Sequence, residues 1–139
     1  MTEIRYVQPS DREFWYTLDR HMPECEFDKK VRDREGYVVF EDGAPVGILR
    51  YNLFWDNTPF CNLIFIEQKR QNMGFGRKLL EHWERDMSAR GFDLVLTSTR
   101  SDEQAQHFYR KLGYSDCGAL LLENEPAEII LMKRVGEKK

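Results

Sequence analysis

The segment Gln71-Asn72-Met73-Gly74-Phe75-Gly76-Arg77-Lys78 sets two glycines two residues apart, ahead of an amphipathic stretch. Glycine lets the backbone turn tightly and lets a ligand approach it closely. The N–H groups of a first helical turn lack internal partners and lie at the positive end of the helix dipole. A loop of this kind can therefore hold a phosphate or pyrophosphate, and Arg77 and Lys78 add positive charge. The same residues would also make a plain strand-to-helix turn that binds nothing. Two familiar phosphate patterns are excluded. The Walker loop needs G-K-[ST], which Gly76-Arg77-Lys78 does not supply. The dinucleotide fingerprint needs a third glycine where Leu79 stands.

A second segment, Ala105 to Tyr114, puts Ala105, Phe108, Tyr109 and Leu112 on one helical face. Ala105 is small enough to allow a close approach there. Taken alone, Tyr109 reads as a core tyrosine whose hydroxyl reaches a backbone carbonyl. Glu67 is the carboxylate nearest the strand that leads into the glycine loop, and reads as a solvated surface acid. His107 falls off the apolar face and is expected to be exposed. Cys25, Cys61 and Cys117 are odd in number and widely spaced, which excludes a disulfide framework and a structural zinc site and fits a reducing compartment. Cys61 and Cys117 are expected to be inert core thiols, and no metal is expected.

Eleven elements would position these residues. Ile4 to Val7 reads as a strand. Ser10 and Glu13, at capping-box spacing, open a helix with Phe14, Leu18 and Met22 on its stripe, and Pro23 ends it. Glu24 to Arg34 is charged, with room for one short helix. Tyr37 to Glu41 and Pro45 to Phe54 form a hairpin around Asp42-Gly43. After a turn at Asp56 to Pro59, the apolar run Phe60 to Ile66 predicts a strand covered on both faces. Gly74 to Ala89 is an amphipathic helix burying Phe75, Leu79, Leu80, Trp83 and Met87, with Gly91 as its stop. Phe92 to Thr97 is a strand, and Ser101 to Leu112 a helix with a Ser101/Gln104 capping box. Two late strands cover Ser115 to Leu122 and Ala127 to Lys133, and Gly136 to Lys139 should fray. The strand-helix-strand unit between Phe60 and Thr97 is a parallel crossover. The remainder is antiparallel, so the expected class is α/β, an α+β mixed sheet with about seven strands and four helices.

The 139 residues make a single domain, 1–139. Apolar residues are 41% and charged residues 32%, enough to build a core. The formal charge of −3 gives no reason to expect nucleic acid. The charged start lacks a signal peptide's apolar region, and no apolar run approaches the ~20 residues of a membrane helix. A soluble, cytoplasmic protein is expected.

Taken together, the two segments resemble the GCN5-related N-acetyltransferase (GNAT) superfamily. Its loop pattern [QR]-x-x-G-x-[GA] is matched by Gln71, Gly74 and Gly76. Its later pattern N-x-x-A-x-x-F-Y-x-x-x-G-[FY] is matched by Ala105, Phe108, Tyr109, Gly113 and Tyr114, with Asp102 in place of the asparagine. The order of elements is similar from Ile4 to Lys133. The resemblance implies an acyl-CoA N-acyltransferase fold with a splay between the parallel fourth and fifth strands. It implies acetyl-CoA as cosubstrate, with its pyrophosphate on the amides of Asn72, Met73, Gly74, Phe75, Gly76 and Arg77, near Gln71 and Lys78. The pantetheine arm would pair with Ile64, Phe65 and Ile66, with Asp102 at the asparagine's contact. Tyr109 would protonate the departing thiolate. The late strands of this family often pair between chains, which implies a homodimer.

The reaction implied is transfer of an acetyl group from acetyl-CoA to a primary amine, by direct attack in a ternary complex. An alkyl amine of pKa ~10.4 is mostly protonated at neutral pH, so its proton must be accepted. Glu67 is the nearest carboxylate for that task, and a water chain is the alternative. Asp19, His21, Glu24, Glu26 and Asp28, with Trp55 and Asp56, would make an acidic, aromatic-edged mouth suited to a small cationic amine or a peptide amine. They read equally as a solvated charged surface. Two other readings compete. One is a non-catalytic acyl-CoA-binding sensor or regulatory module, favoured by the lack of a fourth-strand glutamate. The other is an unrelated α/β protein whose loop binds a different phosphate.

Overall fold

The computed structural model describes residues 1–136. Its strands are β1 (Thr2–Tyr6), β2 (Gly36–Glu41), β3 (Ala44–Phe54), β4 (Thr58–Ile66), β5 (Leu94–Arg100), β6 (Ser115–Leu120) and β7 (Glu128–Arg134). Its helices are α1 (Arg12–Leu18), α2 (Glu24–Asp33), α3 (Phe75–Ala89) and α4 (Ala105–Lys111). The strands form one sheet in the order β1-β2-β3-β4-β5-β7-β6. β4 and β5 are parallel, whereas β1–β2, β2–β3, β5–β7 and β6–β7 are antiparallel. The mixed α/β class with a parallel β4–β5 pair is as the sequence predicts. Residues 1–52 with 62–83, and 53–61 with 84 onward, form two compact units.

In the first unit, β2 and β3 bury both faces. Val38, Phe40 and Ile48 pack with Val7, Trp15, Met22 and Phe27. Tyr37 stacks on Tyr51, 6.3 Å between ring centroids, and Tyr51 meets Trp83 at 5.8 Å. Fully burying one such side chain contributes about 1.5–3 kcal/mol. Two buried charges tie the helices to the sheet. Lys30 Nζ donates to the Tyr51 carbonyl at 2.8 Å and pairs with Glu35 at 3.2 Å. Asp19 accepts from Arg50 Nε at 2.7 Å and Trp15 Nε1 at 3.1 Å. The Asp42-Gly43 turn has φ of +50° and +85°, as predicted for a hairpin.

In the second unit, β7 runs between β5 and β6 and buries Leu131. Glu84, on the last turns of α3, accepts from Tyr114 Oη at 2.8 Å and Lys133 Nζ at 2.9 Å. β6 is exposed at every position, and the adjoining Leu121 is 87% exposed.

Several expected boundaries move. The first helix ends at Leu18 rather than at Pro23, because Asp19 turns inward to Arg50 and Trp15. Met22 is still buried, but from the connection. The entry is a 3-10 turn over Pro9–Asp11 with the Gln8 N–H on Asp11 Oδ2 at 2.7 Å, not a Ser10/Glu13 box. The charged stretch 24–33 is a full helix because Phe27 and Lys30 face inward. α4 starts at Ala105, not Ser101, because the Ser101 N–H is engaged by the Ala127 carbonyl at 2.8 Å. β5 runs on to Arg100, carried by its register with β7. β4 is not covered on both faces: Asn62 is exposed and Phe65 is 40% exposed. Its ladder with β5 holds only Phe60↔Leu96 and Cys61↔Thr97. Of the tail expected to fray, 137–139 lie outside the described residues. Gly136 is held, its N–H on the Asp93 carbonyl at 3.3 Å.

Candidate functional site

The glycine loop is built by its neighbours in the chain. β4 ends at Ile66, where the Glu67 N–H donates to the Val46 carbonyl at 2.8 Å. Gln71 Nε2 donates to the Ile66 carbonyl at 2.9 Å, so the side chain braces the loop against the strand it leaves. Asn72 and Gly74 take left-handed conformations, φ +65° and +89°. A Cβ on Gly74 would meet nothing within 4 Å, so the space above it is open. Gly76 lies inside α3 and adopts no such angle. Only one of the two glycines is therefore needed for the turn, and Asn72 makes the other left-handed step.

The first helical bond of α3 runs from the Lys78 N–H to the Gly74 carbonyl at 3.1 Å. Ahead of it, no backbone acceptor among the described residues takes the amides of Asn72, Met73, Gly74, Phe75, Gly76 or Arg77. Successive left-handed and helical residues ending in free N–H groups make an anion-binding concavity. Phe75 is buried and anchors the turn, while Asn72, Met73, Arg77 and Lys78 are exposed. Arg77 leans toward Glu81 at 3.5 Å, and Lys78 lies over the Phe75 ring at 5.8 Å.

On β4, Ile64 is half-buried, Phe65 exposed and Ile66 buried. Glu67 follows, half-buried, and no side chain among the described residues pairs with its carboxylate.

In the second unit, Tyr109 is 5% exposed on α4, its ring 5.4 Å from Phe108 and 5.6 Å from Tyr114. Burial pushes its phenol well above the ordinary range, and the neighbouring Cys61 adds to this. The nearby Thr97, whose Oγ1 donates to the Cys61 carbonyl at 3.1 Å, opposes both. Such a phenol stays protonated at neutral pH, so it can give a proton but cannot take one. Ala105 is exposed and so is His107. Asp102 is exposed and engaged by Arg100 through two contacts of 3.2 Å.

Sequence reasoning placed Asp19 in an acidic mouth, but its side chain has no exposed surface and is consumed by Arg50. Asp28 pairs with Arg12 at 2.5 Å and Glu26 with Lys29 at 2.9 Å. Cys117, expected in the core, is exposed, because β6 lies at the sheet edge. Cys61 is buried as expected. Thr97 was missed. Its signal was a hydroxyl interrupting the apolar Leu94-Val95-Leu96 run. A groove of about 470 Å³ between Glu84, Ser88, Lys133 and Arg134 gathers none of the residues singled out above. Among the described residues, no group of three or more acidic, His or Cys side chains could hold a metal. No described helix is long and apolar enough to cross a membrane.

Among solved structures, Ard1 from Thermoplasma volcanium superposes with a TM-score of 0.86 at 18% identity, covering 98% of this chain and 99% of that one. The ribosomal-protein-S18-alanine N-acetyltransferase from Escherichia coli gives 0.84 at 18% identity, covering 100% and 97%. Arabidopsis thaliana Naa50, in complex with the bisubstrate analogue CoA-Ac-MVNAL, gives 0.77 at 13% identity, covering 95% and 97%. No curated protein matches the chain by sequence. At these identities the likeness establishes the fold. The acetyltransferase (GNAT) family model matches residues 3–114, spanning both the glycine loop and Tyr109, and the chain belongs to that family.

Proposed function

We propose that this protein transfers the acetyl group of acetyl-CoA to a primary amine of a cationic acceptor, by direct attack in a ternary complex. The observation that carries this reading is the run of amides from Asn72 to Arg77 left without backbone acceptors among the described residues at the start of α3. Those donors suit the coenzyme's pyrophosphate, and Gln71 holds the loop in shape. The end of β4 at Ile64, Phe65 and Ile66, beyond its pairing with β5, suits main-chain pairing with the pantetheine arm. Tyr109 supplies the proton that the departing thiolate needs, its thiol having a pKa of roughly 8.5. Glu67, directly or through water, accepts the proton of the amine. Holding both reactants together supplies much of the rate.

The likeness to Naa50 bound to a CoA–peptide analogue supports the same cosubstrate here, and supports peptide amines as acceptors beside small ones. The test is release of free CoA thiol from acetyl-CoA over a panel of polyamines, aminoglycosides and peptide N-termini. Thiol release matched by acetylated amine is expected. The competing reading is a binding module without turnover, favoured by the absence of any carboxylate within β4. It would be supported by a raised melting temperature with acetyl-CoA but no thiol release on any amine. No shift with acetyl-CoA would sink both.

A further inference from the structure

We propose that Gly47 is a positioning residue for acetyl-CoA: its missing side chain lets the end of β4 seat closely against β3, which holds the β4 main chain in line for the pantetheine arm. This rests on the coenzyme reading given above.

Gly47 lies in the buried run Val46-Gly47-Ile48-Leu49 of β3. A glycine inside a strand costs about 0.5–1 kcal/mol relative to alanine. Its φ is not left-handed, so no turn requires it. The space beside it supplies the reason. A Cβ at Gly47 would overlap Ile66 Cδ1 and stand 3.0 Å from both the Phe65 carbonyl oxygen and Val39 Cγ1. Two of these three atoms belong to the last residues of β4. A glycine in a strand interior is suited to such a close approach by another backbone.

The contacts differ in what they can yield. Ile66 Cδ1 ends a flexible side chain and can rotate away. The Phe65 carbonyl is backbone, and it would have to give by a few tenths of an ångström. One step on, the Glu67 N–H bond to the Val46 carbonyl fixes the same stretch to β3 at 2.8 Å. Past Cys61, no pair with β5 among the described residues holds it. β3 therefore sets where Ile64, Phe65 and Ile66 lie, and Gly47 sets how near. Gln71 hangs from the Ile66 carbonyl at 2.9 Å, so a displaced strand end also moves the root of the glycine loop. Hydrogen bonds weaken once length and alignment are lost, so such a shift loosens main-chain pairing with the coenzyme.

Calorimetric titration with acetyl-CoA, which needs no acceptor amine, tests this. Gly47→Ala should raise Kd about tenfold, the worth of one lost hydrogen bond, with the stoichiometry unchanged. A packing fault that merely unfolds part of the protein would instead lower the stoichiometry and leave Kd alone. Gly43→Ala controls for lost stability: it strains the same hairpin at φ +85°, with nothing within 4 Å, and should keep the wild-type Kd. If Gly47→Ala does not fold, Gly47→Ala combined with Ile66→Val removes Cδ1 and keeps the Phe65 contact, with the same rise in Kd expected. A wild-type Kd in Gly47→Ala or in that double variant, or an equal rise in Gly43→Ala, would overturn the inference. Absence of acetyl-CoA binding by the wild-type protein would instead overturn the coenzyme reading itself.

Discussion

Asp19 and Arg50 show how much a single residue can decide. Asp19 has no exposed side-chain surface and Arg50 only 17%. Removing one partner of a buried pair leaves the other charge desolvated and uncompensated, at about 3–5 kcal/mol. Asp19→Ala should therefore shift the urea midpoint strongly downward with the m-value unchanged. Asp19→Asn, which keeps an acceptor for the Trp15 N–H, should lose less. At this scale the sequence was partly legible. Tyr109 and the loop residues stand out because their types and spacing form patterns. Asp19 could be seen as acidic, but not as buried, because its partner lies 31 positions away in the chain. Thr97 was hidden for the same reason: its acceptor Cys61 is 36 positions distant.

The turn between β4 and α3 is the element on which coenzyme binding depends. Gly74 sits at φ +89° with open space where a side chain would go. The cost of Gly74→Ala is thus conformational rather than steric crowding, on the order of 1–2 kcal/mol for forcing a left-handed residue. Equilibrium denaturation should show that loss, and the acetyl-CoA-induced rise in melting temperature should shrink as the amides shift. Asn72→Gly, which eases the other left-handed position, should leave both near wild type. A normal acetyl-CoA shift in a destabilised Gly74→Ala would separate the turn from the binding. Long periodic elements were readable: α3 buries Phe75, Leu79, Leu80, Trp83 and Met87 as its stripe predicts. Element ends were not. α1 stops where an ion pair takes over, and α4 starts late because the Ala127 carbonyl, just ahead of β7, takes the Ser101 amide.

Over the whole molecule, two buried phenols set the behaviour in alkali. Burial raises both Tyr109 and Tyr114, and the Glu84 carboxylate raises Tyr114 further. Their folded-state pKa values lie above the unfolded value of about 10. The folded state therefore keeps these protons longer, and its stability is intact below about pH 10 and falls as pH rises through that value. Denaturation midpoints at rising pH should drop from there, and Tyr114→Phe should flatten the decline while costing some stability at neutral pH. A slope unchanged by Tyr114→Phe would remove it as the source. Fold class and the parallel β4–β5 pair were within reach of the sequence because an apolar strand, a glycine turn and a striped helix together force a parallel crossover; the placing of β7 between β5 and β6 was not. The short β4–β5 ladder is in line with the splay that the family resemblance implies, although no residue in Phe60 to Ile66 by itself announces where pairing stops.

The molecule has three tryptophans. Trp15 and Trp83 have no exposed surface, whereas Trp55 is 77% exposed, in a left-handed turn at φ +55°. Acrylamide would consequently quench one indole and spare two. The red-shifted share of the intrinsic fluorescence becomes a label-free gauge of the β3–β4 hairpin tip, readable as each amine is added, without altering a residue.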